Sequence, residues 1–144
     1  MKFLLISFLS ALILFASESS PVHHKIVILE KVIGELSLKE EIKIWSDNKE
    51  VLAELKKHNK YKTVQNCKDA SIIILEDKNK LPKICSNKHI FALKYQLLSE
   101  IPQSFGALFW KKGRPNIVIL EPRIKAQHII ANSSLNPYLE EKVW

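Results

Sequence analysis

Cys67 and Cys85 are the residues in this chain best placed to react with one another. They lack C-x-x-C spacing, so their expected chemistry is a structural bridge and not disulfide exchange. Closing that loop would stabilise the fold by about 3 kcal/mol, with two separately buried thiols as the alternative. His89 follows Cys85 by four positions, and Cys67 is a conceivable third ligand. Such irregular spacing is a weak metal signal, and no zinc is expected there. His23 and His24 are ligand types too, yet the start of a helix predicts a frayed, solvated pair. Asp47 and Asp77 fall where strands should end, the place where open sheets put ligand-contacting acids. Acid/base work by such a pair is conceivable. For Asp47, however, helix capping is sufficient explanation. No G-x-S-x-G, Walker loop or H-E-x-x-H occurs, and Gly34, Gly106 and Gly113 are too scattered to cradle phosphate. The sequence therefore predicts a binding or regulatory module, with no catalytic residue, metal or cofactor.

One segment has interaction character. Trp110, Lys111, Lys112 and Arg114 set an aromatic ring beside three positive charges around Gly113. Trp and Arg are the types that most often anchor interfaces, which makes these four the candidate partner-binding residues. An edge hairpin that uses lysine to prevent strand-to-strand aggregation would look similar, with Trp110 packed into the core.

The elements that must position these residues follow from periodicity. Ile26, Leu29, Ile33 and Leu36 recur at helical steps and predict a helix over 22–36. Residues 41–45 alternate as a strand, and Asp47 with Glu50 three positions on predicts a capped helix carrying Val51, Leu52 and Leu55 inward. Residues 61–65 are a short strand candidate. Ser71 to Leu75 is a continuous apolar run, expected as a strand buried on both faces. A strand at 89–93 and a helical turn or two over 95–100 follow. Runs 104–110 and 116–120 predict an antiparallel hairpin turning at Gly113, then a helix over 123–130 and a last piece capped by Asn136 with Pro137 at its first position. Helices and strands in this order predict a single α/β domain of three layers with a mixed sheet.

Residues 1–19 fix the expected address. Lys2, an apolar run from Phe3 to Phe15 and small polar residues after it have the layout of a secretory signal peptide, whose apolar core is typically about 7–15 residues. The run falls short of the roughly 20 apolar residues that span a bilayer. Cleavage after Ser19 would leave residues 20–144 as one periplasmic domain, an oxidising setting that favours the Cys67–Cys85 bridge. The formal charge of +7 would ordinarily suggest nucleic acid. Export and a complement of only two arginines, Arg114 and Arg123, argue against it. What remains is a lysine-covered surface, with an acidic protein or anionic lipid as the class of partner.

Several C-terminal segments carry a resemblance. Ile90 to Leu93, Phe105-Gly106-Ala107-Leu108-Phe109, Arg114 to Leu120 and Ile129 to Leu135 resemble the YfiR-like periplasmic proteins, and Cys67 followed by Ser71 to Leu75 is similar to their preceding element. The resemblance spans about the last 80 residues. It implies an α/β periplasmic domain that restrains a membrane-bound signalling protein, commonly a diguanylate cyclase; a sensor kinase is the other partner expected for such a regulator. The chain departs from the pattern at Phe105-Gly106, where the family pairs glycines, and at Glu121-Pro122, where it has Asn. It also has cysteines for one disulfide only. The expected function is that of a non-enzymatic regulator acting by protein contact; a periplasmic small-ligand binder using Asp47 and Asp77 is the alternative. Pairing of two copies into a homodimer stays open.

Overall fold

Ile72, Ile73, Ile74 and Leu75 are all fully buried, and the strand they form sits inside the main sheet. The computed structural model describes residues 21–144; the leader expected at 1–19 lies outside the described residues. In chain order the elements are α1 (Pro21–Gly34), β1 (Leu36–Ser37), β2 (Lys43–Ser46), α2 (Lys49–His58), β3 (Lys62–Thr63), β4 (Ile72–Leu75), β5 (His89–Ala92), α3 (Leu97–Glu100), β6 (Ser104–Lys111), β7 (Arg114–Leu120), α4 (Glu121–Ala126), β8 (Ile130–Ala131) and β9 (Leu139–Glu140). Short 3₁₀ turns occupy Cys67–Asp69, Lys78–Lys80, Lys83–Cys85 and Ser133–Tyr138.

Among the described residues seven strands form one mixed sheet in the order β3-β2-β4-β5-β6-β7-β9, and β1 pairs with β8 in a separate antiparallel ribbon. The pairs from β3 through β6 are parallel, β6 and β7 are antiparallel, and β9 lies parallel to β7. Side chains alternate across each strand, so the sheet feeds two cores. Ile72 and Ile74 point to the face covered by α1 and α2, where they meet Ile26, Leu29 and Leu55. Ile73 and Leu75 point to the opposite face, against Leu97, Leu98 and both cysteines. This is the single α/β domain expected from the order of elements, with covering layers on both sides of a mixed sheet. Among the described residues no helix is long and apolar enough to cross a membrane.

The sulfur atoms of Cys67 and Cys85 lie at bonding distance, with the two Cα atoms 6.2 Å apart. The bridge ties the turn that precedes β4 to the turn that precedes β5 on one face of the sheet. Reducing it is expected to lower the free energy of unfolding by about 3 kcal/mol, because the unfolded chain regains the entropy of the closed loop. Urea unfolding curves with and without dithiothreitol measure this, and coincident midpoints would refute it.

Several local expectations need correction. The cap of α2 is Asn48, whose side chain accepts from the backbone N–H groups of Glu50 and Val51 at 3.0 and 3.1 Å. Asp47 is instead turned toward β4, where its two carboxylate oxygens each accept a backbone N–H, from Glu76 and from Asp77, at 2.9 Å. With the cap one residue later, Glu50 is no longer three residues past it and the expected capping box does not form. The helix expected over 123–130 ends at Ala126, because His128 takes a left-handed conformation (φ 57°) and Ile130 pairs with β1. Asn132, not Asn136, caps the final 3₁₀ run, and Pro137 lies inside that run.

Candidate functional site

The β6–β7 hairpin closes through Lys112 (φ 52°) and Gly113 (φ 74°), both in the left-handed region that a two-residue turn between twisted strands requires. Lys111, Lys112 and Arg114 are exposed at its tip. Trp110 is 41% exposed and not part of the core. One side of its ring faces the first turns of α1, with the His24 ring 6.3 Å away and Lys25 Nζ 5.9 Å from the centroid. Lys25 thus lies over this indole in the range where cation–π attraction acts, and the three tip cations follow Trp110 in the same hairpin. Among the described residues none of these four cations has a carboxylate within ion-pair distance. Among the described residues, β7 pairs with no strand other than β6 except at Ile119 and Leu120, so Pro115 and the cations also blunt a sheet edge.

Behind the tip, the start of β7 forms one wall of a groove of about 700 Å³. Ile28 and Val32 of α1 form the second wall, and Leu135, Pro137 and Tyr138 of the last 3₁₀ run close the third. Lys31 and Glu35 stand at its rim, and Tyr138 remains 38% exposed. The sequence foretold the hairpin but not the groove, whose α1 wall lies about 80 to 110 positions before the other two in the chain. Cationic tip and apolar groove meet at Arg114-Pro115-Asn116, so one partner can engage both.

The other predicted residues are engaged differently. Asp47 holds the backbone after β4, and Asp77 accepts from the N–H of Asn79 at 2.9 Å to cap the next turn. A hollow of about 310 Å³ lies beside Asp77, lined also by Lys78, Lys94 and Glu100, and Asp47 does not reach it. Cys67 and Cys85 satisfy each other, and His89 Nδ1 lies 2.9 Å from Gln127 Oε1. The cysteines and His89 therefore do not assemble as a ligand set.

His23 departs from the expectation of a solvated helix end. Its Nδ1 lies 3.2 Å from Glu54 Oε1 and 3.2 Å from His58 Nε2, both on α2. His58 Nε2 is 3.1 Å from the same carboxylate oxygen, while His58 Nδ1 lies 2.5 Å from Oε1 of the buried Glu30 on α1. A hydrogen bond with His23 above all, opposed by burial and reinforced by His58 and Lys57, holds the Glu54 carboxyl below the ordinary carboxylate range. The one sequence signal for this cluster is the four-residue spacing of Glu54 and His58, which puts both on one helix face. Nothing in the sequence told that α1 packs beside α2.

No family model matches the chain, and no curated protein matches it either.

Proposed function

We propose that this chain is a non-enzymatic periplasmic regulator that binds the outer portion of an inner-membrane signalling protein, a diguanylate cyclase or a sensor kinase, through the β6–β7 hairpin. The observation that carries the reading is the hairpin itself. An exposed Trp110, with Lys25 over its ring, leads into a tip carrying Lys111, Lys112 and Arg114, none of these cations ion-paired among the described residues, and the hairpin borders an apolar groove. Exposed cations next to a large half-exposed aromatic favour an acidic partner. Charge complementarity speeds and orients the encounter, while desolvated aromatic and apolar contacts hold the complex. The partner segment that fits is acidic where it meets the tip and apolar where it enters the groove.

A photo-crosslinking residue in place of Lys112, whose side chain is exposed, tests this in intact envelopes. The expected adduct is with an inner-membrane protein through an acidic periplasmic segment. Adducts confined to lipid, or none at all, would contradict it.

A second reading, a small-ligand binder, draws on the same groove, because about 700 Å³ falls within the usual range for ligand pockets. It differs in its consequence: a ligand that binds the folded state must raise the melting temperature. A panel of small anions and nucleotides without any thermal shift would count against it.

A further inference from the structure

We propose that His23, Glu54 and His58 form a binding site for a divalent first-row transition-metal ion of the zinc type, with Glu30 as the residue that orients His58. Three donor atoms, His23 Nδ1, His58 Nε2 and Glu54 Oε1, make a nearly equilateral triangle with sides of 3.2, 3.1 and 3.2 Å. Around tetrahedral zinc, bonds of about 2.0–2.2 Å put neighbouring donors about 3.3 Å apart. A point roughly 2 Å from all three atoms therefore exists just outside the plane of the triangle. Two imidazoles and one carboxylate suit zinc and its neighbours, whereas calcium and magnesium select all-oxygen sites. Three protein ligands leave a fourth position for water or another donor.

Glu30 supplies the independent support. Its carboxylate can only accept, so the 2.5 Å contact puts a proton on His58 Nδ1. Neutral His58 in that tautomer turns its Nε2 lone pair toward Glu54 Oε1, two acceptors 3.1 Å apart. His23 Nδ1 lies 3.2 Å from both, so a hydrogen on that nitrogen or a metal ion among the three atoms can bridge them. The carboxylate–histidine–metal arrangement is the usual one for a ligating imidazole, fixing both its tautomer and its ring orientation. The burial of Glu30 on α1 beneath the last turn of α2 gives that orientation a rigid base. A bound ion would pin the first turn of α1 to the last turn of α2, the same α1 turn against which Trp110 rests.

The test is a zinc titration of the chelator-stripped protein by calorimetry, with X-ray absorption of the zinc-loaded wild type alongside. The expected results are one ion per chain and a metal shell containing two imidazole nitrogens. His23→Ala and His58→Ala should each weaken binding about 100-fold or more, and Glu30→Gln about 10–100-fold. His24→Ala, which removes a neighbouring imidazole outside the triangle, should leave affinity unchanged. Absence of stoichiometric uptake would overturn the proposal, and so would a wild-type shell with fewer than two imidazoles. The absorption measurement needs no variant, so it stands even if a substitution impairs folding.

Discussion

Gly106→Ala is expected to destabilise the protein by about 3 kcal/mol, the upper end of the usual cost of overpacking a core, and Gly106→Val by more. The reason lies in the register between β5 and β6. Ile90 pairs with Ser104 but Phe91 pairs with Gly106, so β6 carries an extra residue, Phe105, at this point. The bulge lets Phe105 share the α1 side of the sheet with Phe91, and the two rings lie 5.6 Å apart in the core. A methyl group at Gly106 would then meet the Val118 carbonyl oxygen at 2.7 Å and the edge of the Phe91 ring at 3.0 Å. The carbonyl belongs to the β6–β7 ladder and cannot withdraw without breaking it. With total stability typically about 5–15 kcal/mol, such a loss removes a large share of it. The urea midpoint of Gly106→Ala should fall by about 1–2 M. An unchanged midpoint would mean that the strand yields, and that this approach of backbones is not a requirement of the fold.

The second large effect is on binding. Lys111→Glu, Lys112→Glu and Arg114→Glu together reverse three charges on a turn that contributes no buried side chain. Surface substitutions of this kind usually change stability by only about 0.5 kcal/mol each, so the variant should remain folded. An acidic partner would now face like charge at the centre of the contact, a cost of several kcal/mol. At about 1.4 kcal/mol per tenfold, that corresponds to a loss of affinity of at least about 100-fold. Raising the salt concentration should weaken the wild-type complex and leave the variant's residual binding nearly unchanged, because salt screens exposed charges.

The parts of this molecule legible in its sequence are those governed by local periodicity. The Ser71–Leu75 run, apolar throughout after its serine and bounded by charged turns, reads as a strand buried on both faces, and the β6–β7 hairpin is marked by two β-rich runs around Lys112-Gly113. The stripe of Ile26, Leu29 and Ile33 likewise marks α1. What escaped were choices between near-equivalent residues and contacts between distant ones. Asp47 and Asn48 are both good caps, and only the phase of the chain leaving β2 decides that Asn48 caps while Asp47 reaches β4. Asn132 displaced Asn136 for a similar reason, once Ile130 had paired with Ser37. Strands of two residues, such as β1, β8 and β9, are too short to show a period. Of the candidate site, the cationic tip was legible because a tight turn must be exposed. The groove and the His23–Glu54–His58 triangle were not, since each needs α1 to be placed against a partner far along the chain.

The role proposed for the basic hairpin is to hold an inner-membrane signalling protein. Its most direct test is quantitative co-purification from gently cross-linked envelopes, comparing the wild-type chain with the triple charge-reversed variant at equal abundance. The expected result is one inner-membrane signalling protein enriched with the wild type and lost with the variant. Equal recovery of that protein by both chains would contradict it.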